Sequence, residues 1–141
     1  MTFNDDIFLV TGSNGRIGTE VMRALRLRYD NVVGFDSKAE QDPPEGCTRI
    51  PVDITSQASV DAGLDVLRDH HGPRVASVIH LAAYYSFEGT DDPRYESVTV
   101  NGTRRLLAAL KARFAVAQFV FSSTMLVHKP GEPGLFIDED W

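Results

Sequence analysis

A doubly wound, parallel α/β sheet is predicted by three observations on this sequence. Strand-type apolar runs alternate with helix-period stretches along the chain, as βα units do. The run Ile7-Phe8-Leu9-Val10 passes directly into a turn with glycines three apart and then into a helical pattern. Val75-Ala76-Ser77-Val78-Ile79-His80-Leu81 is apolar at nearly every position, as befits a central parallel strand covered on both faces. With 141 residues the chain can bury one core, so residues 1–141 are read as a single domain.

Ile7 to Val10 is the first strand. Ile17, Val21 and Leu25, joined by Met22 and Ala24, make an apolar stripe at i, i+4 and i+8, so the next segment is an amphipathic helix. Asn31-Val32-Val33-Gly34-Phe35-Asp36 is the second strand. Ser37 to Gly46, polar and containing Pro43-Pro44, is a loop, and Thr48-Arg49-Ile50-Pro51-Val52 is a third strand whose Pro51 suits an edge. Thr55 or Ser56 caps a helix with Val60, Leu64 and Leu67 on one face, and Gly72-Pro73 ends it. After the fourth strand, a polar loop through Thr90-Asp91-Asp92-Pro93 leads to a long helix aligning Tyr95, Val98, Gly102, Leu106 and Leu110. Gln118-Phe119-Val120-Phe121-Ser122 is the fifth strand. Short right-handed crossovers then give the strand order 3-2-1-4-5.

Composition bounds the partners. A net charge of −6 with no clustered basic face argues against nucleic acid. No apolar run approaches the ~20 residues of a membrane span, and the acidic start lacks the basic region of a signal peptide, so a soluble, cytoplasmic protein is expected. Cys47 is the single cysteine, which excludes an intrachain disulfide and a thiolate cluster. His70 and His71 are adjacent and cannot face one metal together, so no metal site is expected.

The turn Thr11-Gly12-Ser13-Asn14-Gly15-Arg16-Ile17-Gly18 carries the chemistry. Gly12 suits a tight turn, Gly15 leaves no Cβ between backbone and a phosphate, and Gly18 lets the helix pack close to the strand. The helix N-terminus adds unpaired donors and partial positive charge, so the pattern predicts a dinucleotide pyrophosphate here. Asp36 lies 18 residues beyond Gly18, close to the ~20-residue offset at which a carboxylate meets the adenosine ribose. The alternative for Asp36 is an acid that only solvates a strand end. In such sheets ligands sit at the carboxyl ends of the strands, which singles out the residues just after each one.

Taken in order, Thr11 to Gly18, Gly34-Phe35-Asp36, Val52-Asp53-Ile54-Thr55, His80-Leu81-Ala82-Ala83, Asp92-Pro93 with Tyr95, Gly102-Thr103 and Phe121-Ser122-Ser123-Thr124 resemble an extended short-chain dehydrogenase/reductase of the NAD-dependent epimerase/dehydratase kind. The resemblance covers essentially the whole chain and implies a Rossmann-like cofactor domain. It implies that Gly12, Asn14, Gly15, Arg16, Ile17 and Gly18 hold the pyrophosphate, Asp36 the ribose hydroxyls, and Asp53 the adenine amino group with Ile54 beside it. Leu81 and the small Ala82 and Ala83 would let the cofactor lie against the fourth strand end, near Thr99 and Ser122. An acid at Asp36 repels a 2′-phosphate, so NAD is expected over NADP, although Arg16 and Lys38 offset part of that repulsion. His80 is expected to pack beside the cofactor and not to act as the base.

The same resemblance makes Thr124, with Ser123 next to it, the hydroxyl that holds the substrate oxygen; the alternative is that these hydroxyls only cap a strand end. Two departures stand out. Thr99 occupies the place of a family asparagine three residues before Gly102-Thr103, and Asn101 should point elsewhere. Decisively, the family's acid/base tyrosine followed four residues later by a lysine is missing: Tyr29, Tyr84, Tyr85 and Tyr95 are followed at that offset by Val33, Glu88, Gly89 and Thr99. Phe136 to Trp141 looks like the lead-in to that motif, so the chain is expected to be truncated before the substrate lobe. An open edge at the fifth strand would then bring marginal stability or self-association, for example as a homodimer. The expected activity is hydride transfer between NAD and a small-molecule alcohol or ketone, a nucleotide sugar being the first choice. The rival is a non-catalytic NAD-binding module. Tyr84, Tyr85 and His128 are candidates for the near side of the substrate pocket.

Overall fold

Apolar, β-branched and aromatic residues fill the strands, and the sheet they form is parallel throughout. The computed structural model describes residues 6–38, 42–86, 88, 91–124, 127, 129, 131, 132, 134 and 138. The strands are β1 (Ile7–Thr11), β2 (Val32–Asp36), β3 (Thr48–Pro51), β4 (Arg74–His80), β5 (Ala115–Val116) and β6 (Phe119–Phe121). Helices α1 (Arg16–Arg26), α2 (Gln57–His71) and α3 (Asn101–Arg113) connect them.

Hydrogen bonding runs β3-β2-β1-β4-β5, with β6 also on β4, which is the predicted 3-2-1-4-5 order. All five residues of β1 are buried, and β1 pairs Phe8 with Val32 on one side and with Ser77 on the other. Both neighbours are therefore parallel, and the connections must cross over the faces through helices. Pro51 closes β3 at the sheet edge and pairs with Asp36, as a residue without an N–H should.

The alternation of side chains along the strands sorts the core into two layers. Ile7, Leu9, Val33, Phe35, Val75 and Val78 meet Val60, Leu64 and Leu67 of α2 and Leu106 and Leu110 of α3. Phe8, Val10 and Val32 meet Met22 of α1 on the opposite face, where Phe8 also stacks on Tyr29 with ring centroids 3.9 Å apart. Each such buried side chain contributes roughly 1.5–3 kcal/mol, which makes the two stripes the main source of stability.

Ser56, one of the two predicted caps, starts α2 by accepting the Ser59 N–H at 3.3 Å. Gly72, at φ 84°, ends it. Among the described residues no helix is long and apolar enough to cross a membrane.

Two elements differ from expectation. The long helix opens with a π-helical turn, Tyr95–Val100, before α3 begins. Within and after this turn the Thr99 hydroxyl accepts the Tyr84 N–H at 2.9 Å and the Thr99 carbonyl accepts the Thr103 hydroxyl. The fifth strand starts earlier, at Ala115, and is interrupted at Ala117–Gln118. Both pieces keep one register on β4, and Gln118 turns its side-chain carbonyl to the Ser77 hydroxyl at 3.1 Å. Val120 and Phe121 on this outer strand are exposed.

Candidate functional site

The carboxyl ends of β1, β2, β3 and β4 open onto a cleft of about 380 Å³. Its walls are Gly12, Asn14 and Gly15 from the turn after β1, Phe35 to Lys38 at the end of β2, Val52 to Thr55 after β3, and Leu81 to Ala83 after β4, with Val98 closing one side. Of the residues singled out in the sequence, Gly12, Asn14, Gly15, Asp36, Asp53, Ile54, Leu81, Ala82 and Ala83 are brought together here. Arg16, Ile17, Gly18, Thr99, Ser122, Ser123 and Thr124 do not line this cleft.

The turn is shaped by what its glycines exclude. Gly12 has φ 69°, and a Cβ on it would sit 2.9 Å from the Ala82 nitrogen. A Cβ on Gly18 would lie 2.2 Å from the Gly12 carbonyl oxygen and 2.9 Å from its carbon, so α1 touches the turn backbone to backbone. The Gly12 N–H donates to the Phe35 carbonyl at 2.9 Å, which ties the turn to the end of β2. At the head of α1, Gly15 makes no side-chain cap and the first turn carries no acid. The opening N–H groups of α1 are thus left to an outside acceptor.

Backbone amides fix the Asp36 carboxylate. Its Oδ2 accepts the Asn14 N–H at 2.9 Å and its Oδ1 accepts the Lys38 N–H at 3.0 Å. The Asn14 side-chain amide donates to the Lys38 carbonyl, and its own Oδ1 is buried with no partner. The cleft therefore concentrates hydrogen-bond acceptors at this corner. Asp53 is engaged differently: its Oδ1 accepts the Thr55 N–H at 2.9 Å and the Thr55 hydroxyl at 2.7 Å, an Asx turn leading into α2.

Sequence reasoning missed a chain of hydroxyls around His80. The Thr11 hydroxyl oxygen accepts the N–H groups of Leu81 and Ala82, each at 3.1 Å, so its own proton goes to His80 Nδ1 at 2.7 Å. With Nδ1 accepting, Nε2 carries the proton and donates to Thr103 Oγ1 at 2.8 Å, and that hydroxyl donates onward to the Thr99 carbonyl. His80 is 6% exposed and its imidazole lies 5.6 Å from the Phe119 ring. A buried histidine at a strand end needs two partners, and the threonines of Thr11-Gly12 and Gly102-Thr103 were the available signal.

Burial lowers the His80 pKa from the ordinary 6.5 and also lowers that of His71, where the neighbouring His70 charge adds to the effect. A depressed histidine pKa means that the unfolded chain takes up the proton first. The contribution is intact above pH 6.5 and is lost as the pH falls through the folded-state values. Thermal melts should therefore show a falling midpoint from pH 7 to about pH 5.5, with a shallower slope in His80→Asn.

Ser122, Ser123 and Thr124 are exposed beyond β6, and the Ser122 N–H reaches the His80 carbonyl at 3.4 Å. Arg16 and Ile17 are exposed at the head of α1. Asn101 turns to Arg104. Tyr84 donates to Asp92 Oδ2 at 3.0 Å and lies under the Arg94 guanidinium, 4.2 Å from its ring centroid. The Arg94 hydrogen bonds hold the Asp92 carboxyl well below the usual carboxylate range. Tyr85 is exposed, while His128 lies outside the described residues.

Comparison with known proteins bears directly on this arrangement. A short-chain dehydrogenase/reductase superfamily protein from Agrobacterium tumefaciens, crystallised with bound NAD, is 34% identical, with a TM-score of 0.65 over 84% of this chain and 32% of that one. The probable low-salt glycan biosynthesis reductase Agl14 of Haloferax volcanii is 35% identical over 94 residues, 67% of this chain and 29% of the relative. An NAD+-bound xylitol dehydrogenase, 19% identical with a TM-score of 0.71 over 92% of this chain and 57% of that one, shares the fold. The chain thus spans about a third of the length of its two more similar relatives. The model of the NAD dependent epimerase/dehydratase family matches residues 8–140, and the chain belongs to that family.

Proposed function

We propose that residues 1–141 form the cofactor-binding domain of an NAD-dependent oxidoreductase, and that the cleft holds the adenosine and pyrophosphate portion of NAD. The observation that carries this reading is the Asp36 carboxylate, fixed by two backbone amides in the same cleft as Gly12 and Gly15. Ribose hydroxyls donate to the Asp36 carboxylate. The open amides of α1 donate to the pyrophosphate oxygens, and the close backbone approach at Gly12 and Gly18 leaves the turn no room for side chains. Ala82 and Ala83 keep the β4 end flat for the remainder of the cofactor.

When bound, the dinucleotide supplies a hydride donor or acceptor at its nicotinamide. Thr124, with Ser123 beside it, is assigned the substrate oxygen. The 141 residues contain no Tyr-x-x-x-Lys, so proton transfer is assigned to residues beyond them. A sugar-type alcohol or ketone, as in a nucleotide sugar, is the substrate class. The NAD-bound relative supports the cofactor, and the relative described as a glycan biosynthesis reductase supports the substrate class.

Fluorescence titration with NADH and NADPH at pH about 8 is the test. Saturable binding of NADH, tighter than that of NADPH by about tenfold or more, is expected from the charge at Asp36. Absence of NADH binding, or tighter binding of NADPH, would overturn the reading.

A further inference from the structure

We propose that His80, as its neutral Nε2–H tautomer, is a positioning residue for the cleft: it locks the ends of β1 and β4 to each other and to α3, and protonation releases the cleft floor at Ala82. The geometry leaves one consistent assignment of protons. Thr11 Oγ1 accepts the Ala82 N–H, shares the Leu81 N–H with the Thr11 carbonyl (3.1 and 3.2 Å), and gives its proton to His80 Nδ1. Thr103 Oγ1 gives its proton to the Thr99 carbonyl and accepts His80 Nε2–H. An Nδ1–H tautomer would leave Nε2 an acceptor facing a Thr103 oxygen whose proton is already given to the Thr99 carbonyl.

Protonation creates a conflict at Thr11. An imidazolium donates from both nitrogens, so Nδ1–H competes with the amides for Thr11 Oγ1 and the Thr11 hydroxyl proton loses its acceptor; Leu81 keeps the Thr11 carbonyl at 3.2 Å, and the Ala82 amide is the one released. Gly12 is packed against that amide, with the Ala82 nitrogen 2.9 Å from the place a Gly12 Cβ would take. Release of that bond moves the wall formed by Leu81 and Ala82 against the turn that holds the pyrophosphate.

Among the described residues the side chains that face the ring carry no charge. They are Thr11 from β1, Thr103 from α3 and Phe119 from β6. On α3, Arg104 is paired with Asn101 and Arg105 donates to the Ile54 carbonyl. His70 and His71 end α2, at the opposite end of the sheet from the cleft, where His71 meets Asn31 at 3.3 Å.

The consequence for binding rests on the cofactor reading above, so the experiment has two separable readouts on the whole chain. Two-bond ¹H–¹⁵N NMR of labelled histidine reads the His80 tautomer, and amide exchange reads Leu81 and Ala82 as the pH is lowered through His80 protonation. NADH titrations over the same range read the cleft. Expected are a proton on Nε2, faster exchange at the Ala82 amide on protonation with Leu81 still held by the Thr11 carbonyl, and NADH affinity weakened by about tenfold, the scale of one lost buried hydrogen bond. Replacing His70 and His71 together by Asn should preserve that pH dependence, whereas His80→Asn should remove it. A proton on Nδ1, protonation with unchanged Ala82 exchange, or global unfolding coincident with protonation each overturns the proposal. Failure of NADH to bind at pH about 8 would instead remove the cofactor reading, and the tautomer and amide readouts would still decide the lock.

Discussion

Gly18→Ala is expected to abolish measurable NADH binding and to lower the melting midpoint by roughly 5–12 °C, the range for overpacking of about 1–3 kcal/mol in a domain of this size. The added Cβ would stand 2.2 Å from the Gly12 carbonyl oxygen and 2.9 Å from both the Gly12 carbonyl carbon and Ser13 Cα. All three are backbone atoms, so no side chain can swing aside. Either α1 backs away from the sheet, losing Met22 against Phe8 and Val10, or the turn deforms and the Gly12 N–H leaves the Phe35 carbonyl. Both responses displace the helix N-terminus from the cleft. Differential scanning calorimetry and NADH fluorescence read the two losses separately.

Gly15→Leu is the contrasting control. Gly15 has φ −68°, open to any residue, and a Cβ there would meet a single atom within 4 Å, the Gly12 oxygen at 3.2 Å. The melt should therefore fall less than in Gly18→Ala. Gly15 nevertheless lines the cleft, and a bulky side chain on it occupies space assigned to the phosphate, so NADH affinity should fall as steeply as in Gly18→Ala. Retained affinity in Gly15→Leu would remove the phosphate assignment while leaving the packing argument for Gly18 intact.

The features legible in the sequence were those written in local pattern. Continuous apolar runs located β1 and β4, Pro51 marked an edge, and the spacing of Gly12, Gly15 and Gly18 placed a tight turn at a helix start. What escaped was decided by partners distant along the chain. His80 meets Thr11 across 69 residues, and nothing in either neighbourhood announces the bond. The π-turn at Tyr95–Val100 has helical periodicity, and the bond of its Thr99 to Tyr84 is a tertiary contact. Ala115–Val116 has too few residues to show alternation, and its pairing comes from Arg74 and Val75 of β4. The glycine motif was also read too uniformly. A helix turns about 100° per residue, so the side chains of Arg16 and Ile17 point away from the cleft lining, while their backbone N–H groups remain among the open amides at the head of α1.

Asp36→Ala should weaken NADH binding by roughly 10–100-fold, as expected for loss of charge-assisted hydrogen bonds of about 1.5–3 kcal/mol, while NADPH binding holds or strengthens. Two effects of the substitution must be separated. The carboxylate presents negative charge at the ribose corner, and it also holds the Asn14 and Lys38 amides in place. Loss of the holding function weakens both cofactors alike, because both share the ribose and the pyrophosphate. Loss of the charge acts in opposite directions: NADH forfeits an acceptor for its hydroxyls, whereas the 2′-phosphate of NADPH is relieved of repulsion and meets Lys38, which lines the same corner. The ratio of the two affinities therefore isolates the electrostatic part. Asp36→Asn refines it by keeping one oxygen acceptor for an amide without the charge. Equal weakening of NADH and NADPH in both variants would reduce Asp36 to a loop anchor, and a ratio that swings toward NADPH by about tenfold or more would assign it cofactor choice.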